Sequence, residues 1–317
     1  MARKRITMRM DEDCRSIKRC YQEFIGNCKA RNLSSRTIAN YQEGYNLFCC
    51  VIDELEDITS VKNSTIQTFV QYLQQNTNSS ATSINTRLRS IRSFLNYCYN
   101  MDYINKVKVP MLKVDKEIKE PYTDEELKRL LVKPNLKKCA FTEYRNWVMV
   151  NVFVGTGMRL NTLINLRLSD IDLESGTILL SKTKNRKQQY IPLSKSLAKV
   201  LQEYLTYRQI DNDYLFTNAF GDQLTDSAIK IAIRKYNRGR NVNKSSIHLF
   251  RHTFAKHYLM SGGDVFRLQK LLGHSTLDVT KTYISLHCSD LAVDYENHCL
   301  LDSLSQSRSH IKLGGSK

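Results

Sequence analysis

The stretch KVKVPMLKVDKEIKEP, residues 106–121, limits what this chain can fold into more than any other. Two prolines and a dense set of charges break the hydrophobic periods on either side, so it reads as an extended linker. The two sides differ. Before it, apolar residues recur at helical spacing. Ile38, Tyr41, Tyr45, Phe48 and Ile52 fall three and four apart behind Ser34 or Ser35 as N-cap. Ile66, Phe69, Val70 and Leu73 mark a helix over 63–75, and Ile84, Leu88, Ile91, Leu95 and Cys98 mark one over about 80–99. With a further helix over about 16–30, residues 15–105 make a small all-helical domain behind a basic tail, 1–14.

After the linker, residues 122–317 are mixed. TDEE at 123–126 is a capping box opening a helix. TILLS at 177–181 and QYIPL at 189–193 predict two short strands joined by the basic turn KTKNRKQ. WVMVNVFV at 147–154 fits either a buried strand or a buried helix, because a continuous apolar run has no period to read. The expected fold is mainly α with a small β-sheet: a helical domain followed by a mixed α/β domain. A chain of 317 residues can supply both cores.

Charge narrows the partner. There are 48 Lys and Arg against 31 Asp and Glu, a net charge of +17, which favours a polyanion. No run approaches the roughly 18 apolar residues of a spanning helix, and MARKRITMRMDED lacks the apolar centre of a signal peptide. Nucleic acid is therefore expected rather than a membrane. Nine scattered cysteines, none in a CxxC pair, read as reduced and mostly buried thiols of a cytosolic protein, with neither a disulfide framework nor a zinc site. On the helix over 80–99, Asn85, Arg89, Arg92 and Asn96, with Arg87 nearby, form a polar stripe. A solvated face is one reading; phosphate contact is the other, favoured by the amides and the basic chain. Two basic domains on a basic linker suit a clamp around a duplex.

Four segments concentrate reactive side chains. GTGMR, 155–159, is a glycine turn delivering Arg159 to the helix LNTLINLRL. KTKNRKQQYIPL carries Lys182, Lys184 and Lys187 near a hairpin tip. HLFRHTF, 248–254, puts Ile247, Phe250, Phe254 and Tyr258 on an apolar face and His248, Arg251, His252 and Ala255 on a second. KLLGHSTLDVTKTYI, 270–284, ends a helix at Gly273, exposes His274, restarts at Ser275 and carries Tyr283. Arginine forks match phosphate oxygens, histidine donates to them or moves a proton, and lysine can protonate a leaving alkoxide. A tyrosine can attack phosphorus once its ionisation is assisted. The set suits phosphodiester attack stabilised by fixed donors, with no carboxylate group arranged to hold a metal. Other readings are an Arg159 ion pair with Asp170 or Asp172, and a structural role for His252.

In order and in local context, Arg159, Lys184, His248-x-x-Arg251, His274 and Tyr283 resemble the tyrosine recombinase (phage integrase) family, over roughly residues 15–300. The resemblance implies a helical core-binding, SAM-like domain and a catalytic domain. Arg159, Arg251 and His274 would grip the scissile phosphate, and His248 would assist as acid or base. Lys184 would protonate the leaving 5′ oxygen, and Tyr283 would form a 3′-phosphotyrosyl bond. Lys184 is chosen over Lys182 and Lys187 on register, and those two join Arg87, Arg89 and Arg92 as DNA contacts. Thr162 stands where the family often has an acidic residue. The resemblance also implies double-stranded DNA with inverted-repeat core sites, a homotetramer on two duplexes built from monomers, and accessory DNA-bending or directionality factors. No cofactor is implied. The tail after Tyr283 would dock on a neighbouring protomer, and the protein would work in the cytoplasm at the nucleoid. The implied task is integration or excision of a mobile element, or resolution of DNA dimers. Type IB topoisomerase-like relaxation and a catalytically silent regulator are the alternatives.

Overall fold

The computed structural model describes residues 16–52, 56–114, 120–181, 188–208 and 211–273. The chain divides into two compact units, residues 1–117 and 118–317.

In the first unit, α1 (Ile17–Ala30), α2 (Ser35–Ile52), α3 (Asn63–Asn76) and α4 (Ala81–Asn100) follow the expected helices closely. The starts of α1, α2 and α4 are set by serine caps. Ser16 Oγ accepts from Arg19 N at 3.2 Å, Ser34 Oγ from Thr37 N at 3.2 Å and Ser80 Oγ from Ser83 N at 3.3 Å. The core is aromatic: Tyr21 stacks on Tyr45 with centroids 3.6 Å apart, and Phe94 meets Tyr21 edge-on at 5.4 Å. One expectation changes here. Asn85 belongs to the α4 stripe by spacing, yet it is buried; its side chain clamps Leu112, donating to O at 2.9 Å and accepting from N at 2.8 Å. The first part of the linker thus packs on this unit, with Val109 in the core, and it covers one end of the stripe. Of the described cysteines, Cys20, Cys28 and Cys98 are buried as expected, Cys49 and Cys139 are half-buried, and Cys50 is exposed.

The second unit is built around α6 (Phe141–Thr156), the helix that WVMVNVFV left undecided. Val148, Met149, Val150, Val152 and Phe153 are all fully buried, so the helix is apolar all round and carries no amphipathic signature. Around it lie α5 (Asp124–Leu131), α8 (Lys195–Tyr207), α9 (Asp226–Arg238) and α10 (Ile247–Met260). The capping box holds: Thr123 Oγ1 accepts from Glu126 N at 3.2 Å, and Thr123 N donates to Glu126 Oε2 at 2.8 Å. A three-stranded antiparallel sheet orders β1 (Ile171–Asp172), β2 (Thr177–Leu180) and β3 (Gln189–Pro192). Ile178 pairs with Ile191 and Leu180 with Gln189, so Gln189 shares the core-facing side of β3 with Ile191. Strand β1 was not expected. The turn over 182–187 lies outside the described residues. Among the described residues, no helix is long and apolar enough to cross a membrane.

Candidate active site

Helix α6 stops at Thr156 because Gly157 turns left-handed, with φ 60. A side chain there would meet Phe254, since an added Cβ would sit 2.6 Å from its Cδ1. The turn hands the chain to Arg159, the residue before α7 (Leu160–Ile164). This helix is shorter than LNTLINLRL predicts. Leu168 N donates to Asp213 O and Leu215 N to Leu166 O, both at 2.8 Å, and these bonds pull the backbone out of the helix.

Helix α10 delivers the second arginine. Phe250 is fully buried between Tyr122, stacked at 4.4 Å, and Phe153, stacked at 5.9 Å. The second face is buried in part: Arg251 and Ala255 are covered, His252 is half-buried and His248 is exposed. Ala255 packs with Leu268 and Leu272 of α11 (Val265–Leu272), and Arg251 is only 3 % exposed. Two of its donors go to carbonyls: Nη1 to Gly157 O at 2.9 Å and Nη2 to Leu272 O at 2.6 Å. Arg159 Nη1 reaches the same Leu272 oxygen at 3.3 Å and Gly273 O at 3.5 Å. The two donor nitrogens on Leu272 O are therefore no more than about 6 Å apart, within reach of one phosphate group. Carbonyl dipoles orient a guanidinium without cancelling its charge as a carboxylate would. Asp170 and Asp172, the other candidate partners of Arg159, accept from local backbone: Asp170 from Arg167 N at 2.8 Å, Asp172 from Ser175 N at 2.9 Å.

Arg159 and Arg251 line one cavity of about 440 Å³ with His248. Arg145 is also buried with a carbonyl partner, Thr217 O at 2.7 Å, but it is not part of this cavity's lining. His248 is exposed on the first turn of α10. Lys230 and Arg234 of α9 line the same cavity and were missed by the sequence reading. Their signal was present: Ile229, Ile233 and Tyr236 form the buried face of α9, which leaves Lys230 and Arg234, four apart, on another. What sequence could not supply was the neighbour of that face. Thr162 is buried in α7.

Three tyrosines of this unit can be assigned to structure. Tyr122, Tyr204 and Tyr236 donate to the carbonyls of Lys244, Leu215 and Leu130 at 3.3, 3.3 and 2.7 Å, and burial pushes each phenol above its ordinary range. Lys182, Lys184, Lys187, His274 and Tyr283 lie outside the described residues, as does the tail expected to dock on a neighbour. In the helical unit, Arg89 and Arg92 are exposed and line a cavity of about 390 Å³ with Asn40 and Asn96. Arg87 forms an ion pair with Glu43 at 2.5 Å, and Lys230 of α9 forms one with Asp226.

Gly157→Ala tests the turn. A left-handed alanine costs about 1–2 kcal/mol, and displacing Phe254 adds about 1–3 kcal/mol. A drop in melting temperature of about 5–10 °C is expected. Any reaction that depends on Arg251 should slow further than stability accounts for, because the Gly157 carbonyl orients that side chain.

Two guanidinium groups held by carbonyls beside one cavity define a site for an anionic, phosphate-bearing ligand. Residues 107–289 match the Phage integrase family and residues 22–101 match the phage integrase N-terminal SAM-like domain; the chain belongs to that family and is a tyrosine site-specific recombinase. Within the family it is similar to Xer recombinases. It is 30% identical over 230 residues to tyrosine recombinase XerC of Thermodesulfovibrio yellowstonii, covering 68% of this chain and 75% of that one. It is 30% identical over 278 residues to XerD of Staphylococcus saprophyticus, covering 84% and 92%. Among solved structures, the fold matches the Tn1549 transposon integrase in complex with a circular intermediate DNA, with TM-score 0.70 at 20% identity over 88% of this chain and 99% of that one. It also matches XerH recombinase bound to palindromic difH substrate, with TM-score 0.69 at 22% identity over 88% and 82%.

Proposed function

We propose that this recombinase cuts and rejoins double-stranded DNA through a 3′-phosphotyrosyl bond to Tyr283, and exchanges strands through a Holliday junction. The supporting observation is the convergence of Arg159 and Arg251 on the carbonyl of Leu272. It sets two fixed positive charges beside a cavity that also holds His248. Charge developing on a pentacoordinate phosphate would meet donors already in place, which is where such catalysis gains most. Lys184 would give a proton to the departing 5′ oxygen, and His274 would add a donor to the phosphate. The bond energy kept in the phosphotyrosine then serves rejoining, so the cycle calls for no nucleotide cofactor.

Four protomers on two duplexes would act in alternating pairs at inverted-repeat core sites. Arg87, Arg89 and Arg92 would hold backbone phosphates, and Lys182, Lys187, Lys230 and Arg234 would do so nearer the cut. Integration or excision of a mobile element and resolution of DNA dimers both fit this chemistry.

The test is covalent capture. Wild-type protein incubated with DNA from its source organism and stopped in detergent should yield protein bound to a 3′ end and a free 5′ hydroxyl. Sequencing the DNA flanking the adduct maps the cleavage site. Two-site substrates should then give junctions and recombinants. Supercoil relaxation with no junction would favour a topoisomerase, and specific binding with no adduct would favour a silent regulator.

A further inference from the structure

The carboxyl end of α11 is the surface on which both arginines rest, and a third side chain shares it. Gln189, on the core-facing side of β3, points its amide at this helix end. Its Nε2 donates to Lys270 O and, at 3.2 Å, to Leu271 O. Its Oε1 is close enough to Gly273 that an added Cβ there would sit 2.9 Å away. A helix end presents a row of carbonyls without intrahelical donors. Here the row is divided. Gly273 N turns back to Lys270 O at 2.9 Å, Gln189 covers Lys270 and Leu271, and the guanidinium groups take Leu272 and Gly273.

We propose that Gln189 is a positioning residue for the arginine pair. By occupying the two inner carbonyls it leaves Arg159 and Arg251 only the outer ones, which fixes both guanidinium groups at the mouth of the cavity. Without that amide, the inner carbonyls compete for arginine donors and draw the forks along the helix end, away from the phosphate. A shift of about 1 Å in such a group costs on the order of a hundredfold in rate.

The inference rests on the recombinase reading, and wild-type cleavage of a nicked duplex carrying the mapped site reports on that reading separately. Gln189→Met keeps the length and removes the donor. It should slow single-turnover cleavage about 30- to 100-fold, with DNA affinity within about threefold of wild type. Gln189→Lys supplies a donor suited to a helix carboxyl end and should recover cleavage to within about fivefold of wild type. The decisive comparison replaces one non-bridging oxygen of the scissile phosphate by methyl, which removes the negative charge that the arginines neutralise. On this substrate the gap between wild type and Gln189→Met should shrink to about threefold or less. If Gln189→Met melts well below wild type, Gln189→Leu, which removes the donor without adding a charge, replaces it. Slowing that is equal on both substrates, or cleavage by the variant at the wild-type rate, overturns the proposal.

Discussion

Tyr283→Phe should bind DNA as wild type does and form no covalent adduct. The substitution removes one oxygen, and with it the only atom of that side chain able to bond phosphorus. The arginines, histidines and lysine that would hold the phosphate are untouched, so the ground-state complex keeps its contacts. Attack by free water lacks the positioning of a fixed side chain, so the loss should reach at least about 10⁴-fold. The measurements are detergent-resistant adduct, DNA affinity at fixed salt and melting temperature. Adduct at wild-type yield would assign the nucleophile elsewhere; Tyr122, Tyr204 and Tyr236 are poor substitutes, since each phenol is buried and engaged with a carbonyl.

Arg251→Ala should lose both cleavage and stability, whereas Arg159→Ala should lose cleavage with far less effect on the fold. The difference follows from burial. Arg251 is 3 % exposed, and removing it takes a buried donor from Gly157 O and leaves Leu272 O only the longer bond from Arg159 at 3.3 Å, a cost of about 1–3 kcal/mol for a buried acceptor. Arg159 is half-buried at the cavity edge. Each substitution removes a charge aimed at the transition state, worth about 10²–10³-fold in comparable oxyanion sites. Arg251→Lys isolates geometry from charge. An ammonium group cannot span two carbonyls and a phosphate as a fork does, so its cleavage should remain about a hundredfold down while stability partly recovers. Single-turnover cleavage read beside thermal melting separates the three variants. Arg251→Ala cleaving within tenfold of wild type would remove this residue from the chemistry.

The helical unit was the most legible part of the chain. Each of its helices buries one face, so on α4 Ile84, Leu88, Ile91 and Leu95 repeat at helical spacing, and serine caps mark where three of the four helices begin. Helix α6 was not legible, for the converse reason: burial on every side removes the polar positions that make a period visible. Asn85 misled because spacing places a residue on a stripe but cannot say that Leu112 will lie over it. The burial of Arg251 was hidden for the same reason, since spacing cannot say that α11 will pack beside Ala255 on its face.

By itself the sequence determined which side chains with phosphate chemistry are present, their order, the helices they ride on and the glycines at which those helices stop. Tertiary structure alone decided that Arg159 and Arg251 share the Leu272 carbonyl, that Lys230 and Arg234 border the same cavity, and that Gln189 divides a helix end with the arginines. The reason is range. Period and capping act within a few residues, whereas Arg159 meets Leu272 across 113 positions of chain and Gln189 meets Leu271 across 82. Only packing of the core around α6 brings such positions within bonding distance.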